Sequence, residues 1–537
     1  MKIAYRLFIP ALLLLIAGLS CKPKGKPDNA VEAPKAAYDE PHRPWFHFSP
    51  PANWMNDPNG MVYYEGEYHL FYQYYPDSNV WGPMHWGHTV SRDLVSWEHL
   101  PIALYPDSLG YIFSGSAVVD WNNSSGLGKD GRPPLVAIFT YHNSEGEKAG
   151  RSDFQTQGIA YSNDKGRTWT KYPGNPVIPN SENIRDFRDP KVRWHEESKQ
   201  WIMIFAAFDH LKIWGSPDLI RWKLLSNFGK EWGAHSGVWE CPDMFPIEVE
   251  GGDDTKWVIL SSINPGGPSG GSATQYFVGE FDGEKFTLDP GFAKTVAKGK
   301  GVWLDGGRDN YAGVTWSDIP ASDGRRLFMG WMSNWDYAQV VPTTVWRSAM
   351  TLPRELTLHK TPSGYRIFSL PAKELQALRD TRAAIPGAAI EGTLDLDSTL
   401  NGISPASMEL RLDFIHSGPE ADFGVELSNN TGDIYKIGFN AATNRWYSDR
   451  SKSGKNDFSE SFTGLTPASA TRVSDSKTVR FHLFFDASSA ELFADDGANV
   501  LTNVFFPQAP FSKAKIYSGN GKVKLIGGEA FGLRRIW

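Results

Sequence analysis

The 537-residue chain has two cysteines, Cys21 and Cys241. That excludes a disulfide framework and a cysteine-rich zinc site. It also lacks net positive charge. The formal net charge is −7, and −9 once a leader carrying Lys2 and Arg6 is lost. A nucleic-acid partner would want a basic surface instead. Beyond the leader no run of 18 apolar residues occurs, and no long stretch carries a helical period. Low charge (21%) beside 41% apolar residues excludes a disordered chain. Signals for cofactors are absent too. The Gly-rich stretch Pro265 to Ser272 lacks the Lys-Ser/Thr and strand–helix context of a phosphate loop. His85 and His88 stand three apart with no acidic metal motif beside them. No metal and no organic cofactor is expected.

What is present is aromatic and rich in turns. The chain holds 21 Trp, 20 Tyr and 31 Phe, with 52 Gly and 36 Pro. Its length suggests about three to four domains, fewer if the folds are β-rich. Short alternating runs recur, such as Met61 to Tyr74 and Gln200 to Phe208, each bounded by Gly, Asn, Asp or Pro. These read as antiparallel strands. A loose repeat punctuates them. Ser91-Arg92-Asp93-Leu94 with Trp97 returns as Ser162-Asn163-Asp164 with Trp169, and again as Ser216-Pro217-Asp218-Leu219 with Trp222. A weaker copy is Asp282-Gly283 with Phe286. An Asp turn before a strand, recurring every 50–70 residues in all-β sequence, suggests propeller blades.

Residues 1–20 carry a positive start and an apolar stretch too short to span a bilayer, followed at once by Cys21. This resembles a bacterial lipoprotein signal, with Cys21 lipidated; plain secretion is the alternative. Residues 21–41, rich in Pro, Lys and Ala, read as a flexible tether. The expected location is the cell envelope, with the membrane touched only through the anchor. Residues 42–356 form the expected propeller and 357–390 a linker with a short helix near Lys373 to Asp380. Regular strands from Met408 onward place a β-sandwich over 391–537.

Three acids stand out. Trp54-Met55-Asn56-Asp57-Pro58-Asn59-Gly60 reads as a sharp turn, with Pro58 holding Asp57 extended. Arg188-Asp189-Pro190 and Glu240-Cys241-Pro242-Asp243 have similar settings. Singly, each is as well explained by an Asx turn, a surface acid or an ion pair. Together, in a Trp-rich β-protein, they suit glycoside hydrolysis, which needs two carboxyls flanking the scissile bond.

WMNDPNG, FRDP and ECPD, in that order, resemble the signature blocks of glycoside hydrolase family 32, the fructan hydrolases and invertases. Further blocks agree: FSGSA (Phe113 to Ala117), DNYAG (Asp309 to Gly313), WMSNW (Trp331 to Trp335), WRSAMTLPREL (Trp346 to Leu356) and FDASSAELFADDG (Phe485 to Gly497). The resemblance covers residues 42–537. It implies a five-bladed β-propeller followed by a β-sandwich. It implies Asp57 as nucleophile, Glu240 as acid/base and Asp189 as transition-state stabiliser, in a retaining mechanism with Asp57 and Glu240 about 5–5.5 Å apart. For the substrate pocket it points to Asn56, Gln73, Trp81, Phe113, Ser114, Arg188 and Trp335, with Asp309 at the rim. Amides and hydroxyls bind sugar hydroxyls directionally. Cys241 reads as a packing neighbour of Glu240, because no His–Asp pair accompanies it. The expected activity is hydrolysis of β-D-fructofuranosyl bonds in levan, inulin or sucrose, probing from the chain end. Fructosyl transfer on the same acids and a non-catalytic fructan-binding lipoprotein are the alternatives. Linkage preference and oligomeric state stay open at this level.

Overall fold

The computed structural model describes residues 38–463 and 467–537. The leader, Cys21 and most of the tether lie outside the described residues.

Five sheets follow one another along the chain, each built on four antiparallel strands, with one short extra strand in the first and in the last. Their innermost strands are Asn53–Tyr64, Tyr111–Val119, Phe187–His195, Val238–Glu248 and Tyr311–Thr315. These five neighbour one another in a ring, which makes the sheets blades of a propeller. The repeat marks the outer edge of each blade. In the first and third blades Ser91 and Ser216 donate to Asp93 and Asp218, whose carboxylates take the amides of Val95 and Ser96, and of Ile220 and Arg221. Ser162 and Asp164 repeat the turn in the second blade, and Asp282 gives a shorter version in the fourth. Each turn joins the third strand of its blade to the fourth. The ring closes where Trp346–Arg347 pairs in parallel with Asn53 and Trp54.

The fifth blade extends further than the sequence suggests. Arg354–Thr361 and Gly364–Pro371 are its outer strands, a regular hairpin. The expected linker at 357–390 is therefore mostly sheet. Its alternating pattern is masked by charged residues on the solvent face. Lys373–Leu378 forms a 3₁₀ helix, and Arg379–Ile385 already pairs with the final strand of the second domain.

That second domain is a sandwich built around two 21-residue strands, Met408–Ser428 and Lys513–Leu533. The first half of Met408–Ser428 pairs with Val479–Asp486 and its second half with Ile434–Asn440, so one strand serves both layers. Between them pack Leu410, Phe414, Phe423, Ile437, Trp446, Phe481 and Leu492.

The propeller and sandwich are joined by buried charge. Glu491 accepts from Arg354, from the Leu352 amide (2.9 Å) and from His47 Nε2 (2.8 Å). Asp486 takes His47 Nδ1 at 2.7 Å and the amides of Trp45, Phe46 and His47. Both His47 nitrogens thus donate to carboxylates. Burial opposes the imidazolium charge, but the two acids more than offset it and raise the His47 pKa to about 9.

Candidate active site

Every inner strand carries the same irregularity at the same height. Two residues on the inner strand oppose one on its neighbour between Met55 and Pro58, Ile112 and Gly115, Arg188 and Lys191, Glu240 and Asp243, and Tyr311 and Val314. Each is a one-residue β-bulge, which re-aims side chains and leaves a residue unpaired. The bulges hold Asp57, Ser114, Asp189, Cys241 and Ala312. Proline lacks a ladder donor and is tolerated at bulges, which accounts for Asp57-Pro58, Asp189-Pro190 and Cys241-Pro242. Asp189 (φ 68°), Cys241 (φ 43°) and Ala312 (φ 55°) adopt left-handed backbone there. The sharp turn expected at 56–60 is instead a continuous strand with two bulges. Gly60 (φ 53°) sits in the second, where a Cβ would come within 2.5 Å of Phe71.

Of the bulge residues, Asp57, Ser114 and Asp189 line a cavity of about 300 Å³. Asn56, Asp57, Gln73, Trp81, Phe113, Ser114, Arg188, Asp189, Glu240 and Trp335 all line it. Asp309 does not. It is fully buried at the domain interface, bonded to Tyr337 (2.6 Å), Arg450 (2.8 Å) and the Val504 amide (2.9 Å). Asp309 precedes the strand Tyr311–Thr315, and its partners Arg450 and Val504 belong to the second domain.

The three acids have distinct partners. Asp57 accepts from Ser114 Oγ at 2.7 Å and from Asn56 Nδ2 at 3.0 Å. Trp54 Nε1 fixes Asn56 from behind at 2.7 Å. Burial raises the Asp57 pKa, the Ser114 bond lowers it, and the nearby Glu240 charge raises it again. Asp189 accepts the Cys241 amide at 3.0 Å. Burial pushes its pKa up to about 7 despite Arg188 at 3.7 Å. Glu240 takes Arg188 Nη2 on Oε1 at 2.8 Å and the Tyr311 hydroxyl on Oε2. Arg188 also pairs with Asp186 at 2.5 Å. Burial works against the guanidinium charge, and Glu240, Asp189 and Asp186 together outweigh it. Cys241 lies 3.5 Å from Asp57 with its thiol pKa raised by burial and the three acids, so it is an inert wall.

Aromatic rings shape the mouth. Trp335 packs on Trp54 and Trp331, and Phe113 stacks on His142 at 4.2 Å. Trp81 stands at the rim, 36% exposed. Gln73 is buried, and its Nε2 has no partner among the described residues, which leaves a donor at the cavity wall. Sequence reasoning missed Tyr311, Asp186, His142 and Gln155. Tyr311 falls inside the DNYAG block, and Asp186 stands immediately before FRDP. His142 and Gln155 come from the second and third strands of the second blade, where only the fold brings them near the axis. Among the described residues no cluster of His, Cys, Asp and Glu has the arrangement of a metal site.

A propeller whose inner strands bring three carboxyls, an arginine and stacked tryptophans to one sugar-sized cavity defines a glycosidase. Residues 47–371 match the family 32 N-terminal domain of glycosyl hydrolases and residues 374–530 the family 32 C-terminal domain. The chain belongs to glycosyl hydrolase family 32 and is a glycosidase of its β-fructofuranosidase class. It is 47% identical to the levanase of Bacillus subtilis (strain 168) over 512 residues, covering 95% of this chain and 73% of that protein. It is 39% identical to the extracellular exo-inulinase of Aspergillus awamori over 524 residues, 93% of this chain and 96% of that one. The crystal structure of exo-inulinase from Aspergillus awamori matches with a TM-score of 0.84 at 36% identity, covering 93% and 100%. The fructofuranosidase of Schwanniomyces occidentalis, solved with fructose, matches at 0.78 and 31%, covering 93% and 99%.

Proposed function

We propose that the chain is an exo-acting, retaining β-fructosidase of fructans and sucrose, with Asp57 as nucleophile, Glu240 as acid/base and Asp189 as stabiliser. One observation carries the reading: Asp57, Asp189 and Glu240, from three separate inner strands, line one cavity together with Gln73 and Arg188. The similarity to an extracellular exo-inulinase supports action from the chain end.

In the first step an Asp57 oxygen attacks the anomeric carbon of the terminal fructosyl unit. The glycosidic C–O bond breaks, and protonated Glu240 gives its proton to the departing oxygen. In the second step the Glu240 carboxylate takes a proton from water, the water oxygen bonds to the anomeric carbon, and Asp57 leaves. Positive charge developing on the sugar is met by the Asp189 carboxylate. Tyr311 suits both states of Glu240. Its hydroxyl can donate to a carboxylate or accept from a carboxylic acid, and its own pKa, raised well above the usual value by burial and Glu240, keeps it a neutral phenol. Arg188 stays on the other oxygen.

The extracellular relative supports export, and the leader supports anchoring through Cys21. Radiolabelled fatty acid should appear on wild type and vanish in Cys21→Ser. The catalytic reading is tested by product chromatography on sucrose, inulin and levan. Free fructose alone, released first as the β anomer by NMR, is expected. Glu240→Ala should lose about 10²–10⁴-fold in kcat. An α anomer as first product overturns retention, and early oligofructosides overturn exo action.

A further inference from the structure

The propeller axis has a second cavity at its other end. It measures about 270 Å³ and is lined by the C-terminal parts of the inner strands, including Lys191, Arg193, Asp243 and Thr315, with Asp318 and Arg326. It shares no residue with the catalytic cavity. Arg193 lies four residues beyond Asp189 on one strand, about 13 Å away at ~3.3 Å per residue.

Charge there is unbalanced. Three cationic side chains face two carboxylates, and the carboxylates are already occupied. Asp243 accepts the Met244 amide (2.7 Å) and both the amide and hydroxyl of Thr315 (2.7 and 2.8 Å). Asp318 accepts the Val119 amide and Trp121 Nε1, both at 2.9 Å. Lys191 is 3.6 Å from Asp243 and donates to the Thr315 carbonyl. The two arginines have no carboxylate partner among the described residues; each guanidinium lies 5.1 Å over an aromatic ring, Arg193 on Trp257 and Arg326 on Phe245. Arg193 reaches the Met244 carbonyl at 3.4 Å and Arg326 the Pro246 carbonyl at 3.1 Å. The Nε of each is buried without a partner among the described residues. A guanidinium offers five donors in a fixed fork matched to oxyanions, and each of these uses one, on a neutral carbonyl. Burial, and next the charge of Arg326, hold Arg193 below its usual range. An anion between the two groups would remove their mutual repulsion and complete both forks.

We propose that this cavity is a second ligand site, which takes a small oxyanion of the phosphate or carboxylate class between Arg193 and Arg326. Trp121, 58% exposed at its edge, offers a flat apolar face to any carbon attached to that anion.

Isothermal titration calorimetry of the full chain with inorganic phosphate and, separately, citrate tests this, with chloride at matched ionic strength as reference. Wild type should bind at least one of the two saturably and one-to-one. Phosphate binding alone identifies a phosphate site, citrate alone a carboxylate site. Arg193→Gln and Arg326→Gln should each bind about tenfold or more weakly, as loss of a charge-assisted bond predicts, with kcat on sucrose unchanged. No saturable heat above chloride overturns the proposal, as does undiminished binding in both variants. Should either variant fail to fold by circular dichroism, Arg193→Lys and Arg326→Lys keep the charge and lose the fork. Weaker binding then supports the site, and equal binding overturns it.

Discussion

Asp189 shows a residue placed against its own stability. Burial raises its pKa from the usual carboxylate range to about 7. The folded state therefore holds a proton that the unfolded chain has released between about pH 4 and 7. Stability from this group is full below that window and is lost as pH rises through 7. Asp189→Asn keeps an acceptor for the Cys241 amide and removes the charge. It should melt higher than wild type at pH 7.5, by on the order of a few kcal/mol, and the gap should close near pH 4. Its kcat should fall about 10²-fold or more. A variant that melts lower at pH 7.5 would contradict burial as the cause. Tyr311→Phe tests the other side of the site. It strips Glu240 Oε2 of its hydroxyl partner and should lower kcat about tenfold with the melting curve little changed, measured on sucrose. Unchanged kcat would remove Tyr311 from the mechanism. Both acids were legible in the sequence because FRDP and ECPD stand in order among the blocks that resemble family 32, although singly each reads as well as a surface acid. Tyr311 was not, since a tyrosine in a Trp-rich β-protein reads first as packing.

At the scale of elements, the outer edges and the inner strands of the blades obey different rules. The outer Ser-x-Asp turns are local: one carboxylate satisfies amides two and three residues on, so the repeat could be read directly. Asp218→Ala frees the Ile220 and Arg221 amides and the Ser216 hydroxyl. A loss of about 1–2 kcal/mol in urea unfolding is expected, with kcat intact, because the turn lies at the rim of its blade far from the acids. Lost activity in a folded variant would show that the blade edge reaches the site. The inner bulges are not local. Whether Asn56-Asp57-Pro58 turns or stays in a strand depends on the neighbour at Tyr72 to Tyr74, and nothing in seven residues specifies it. The hairpin 354–371 joins the fifth blade because Arg326–Phe328 is there to pair with Arg354–Leu356.

At the scale of the molecule, the two domains share a buried ionic seam centred on Glu491 and Asp486. The folded His47 pKa is raised to about 9. Its stabilising contribution is full below about pH 6.5 and is lost as pH rises through 9. Melting temperature should therefore decline from pH 6.5 to 9.5, and His47→Gln should flatten that decline while melting lower at pH 6.5. An identical slope in the variant would assign the pH dependence elsewhere. Arg354→Met should be costlier still, about 3–5 kcal/mol, because it removes the guanidinium that two buried carboxylates, Glu491 and Asp305, share; its domains should become separable by limited proteolysis between residues 371 and 379, where wild type should resist.

The sequence by itself determined the all-β class, the blade repeat, the two-domain order and the three acids, because these rest on alternation, local turns and ordered blocks. Tertiary structure alone decided that five bulges stand at one height, that Asp309 serves the seam instead of the sugar, and that Arg193 and Arg326 meet at the far end of the axis. The physical reason is common to all three. Each depends on which strand lies beside which, and on the charge and burial that neighbour brings. Contacts across dozens to hundreds of residues leave no period in a chain read one window at a time.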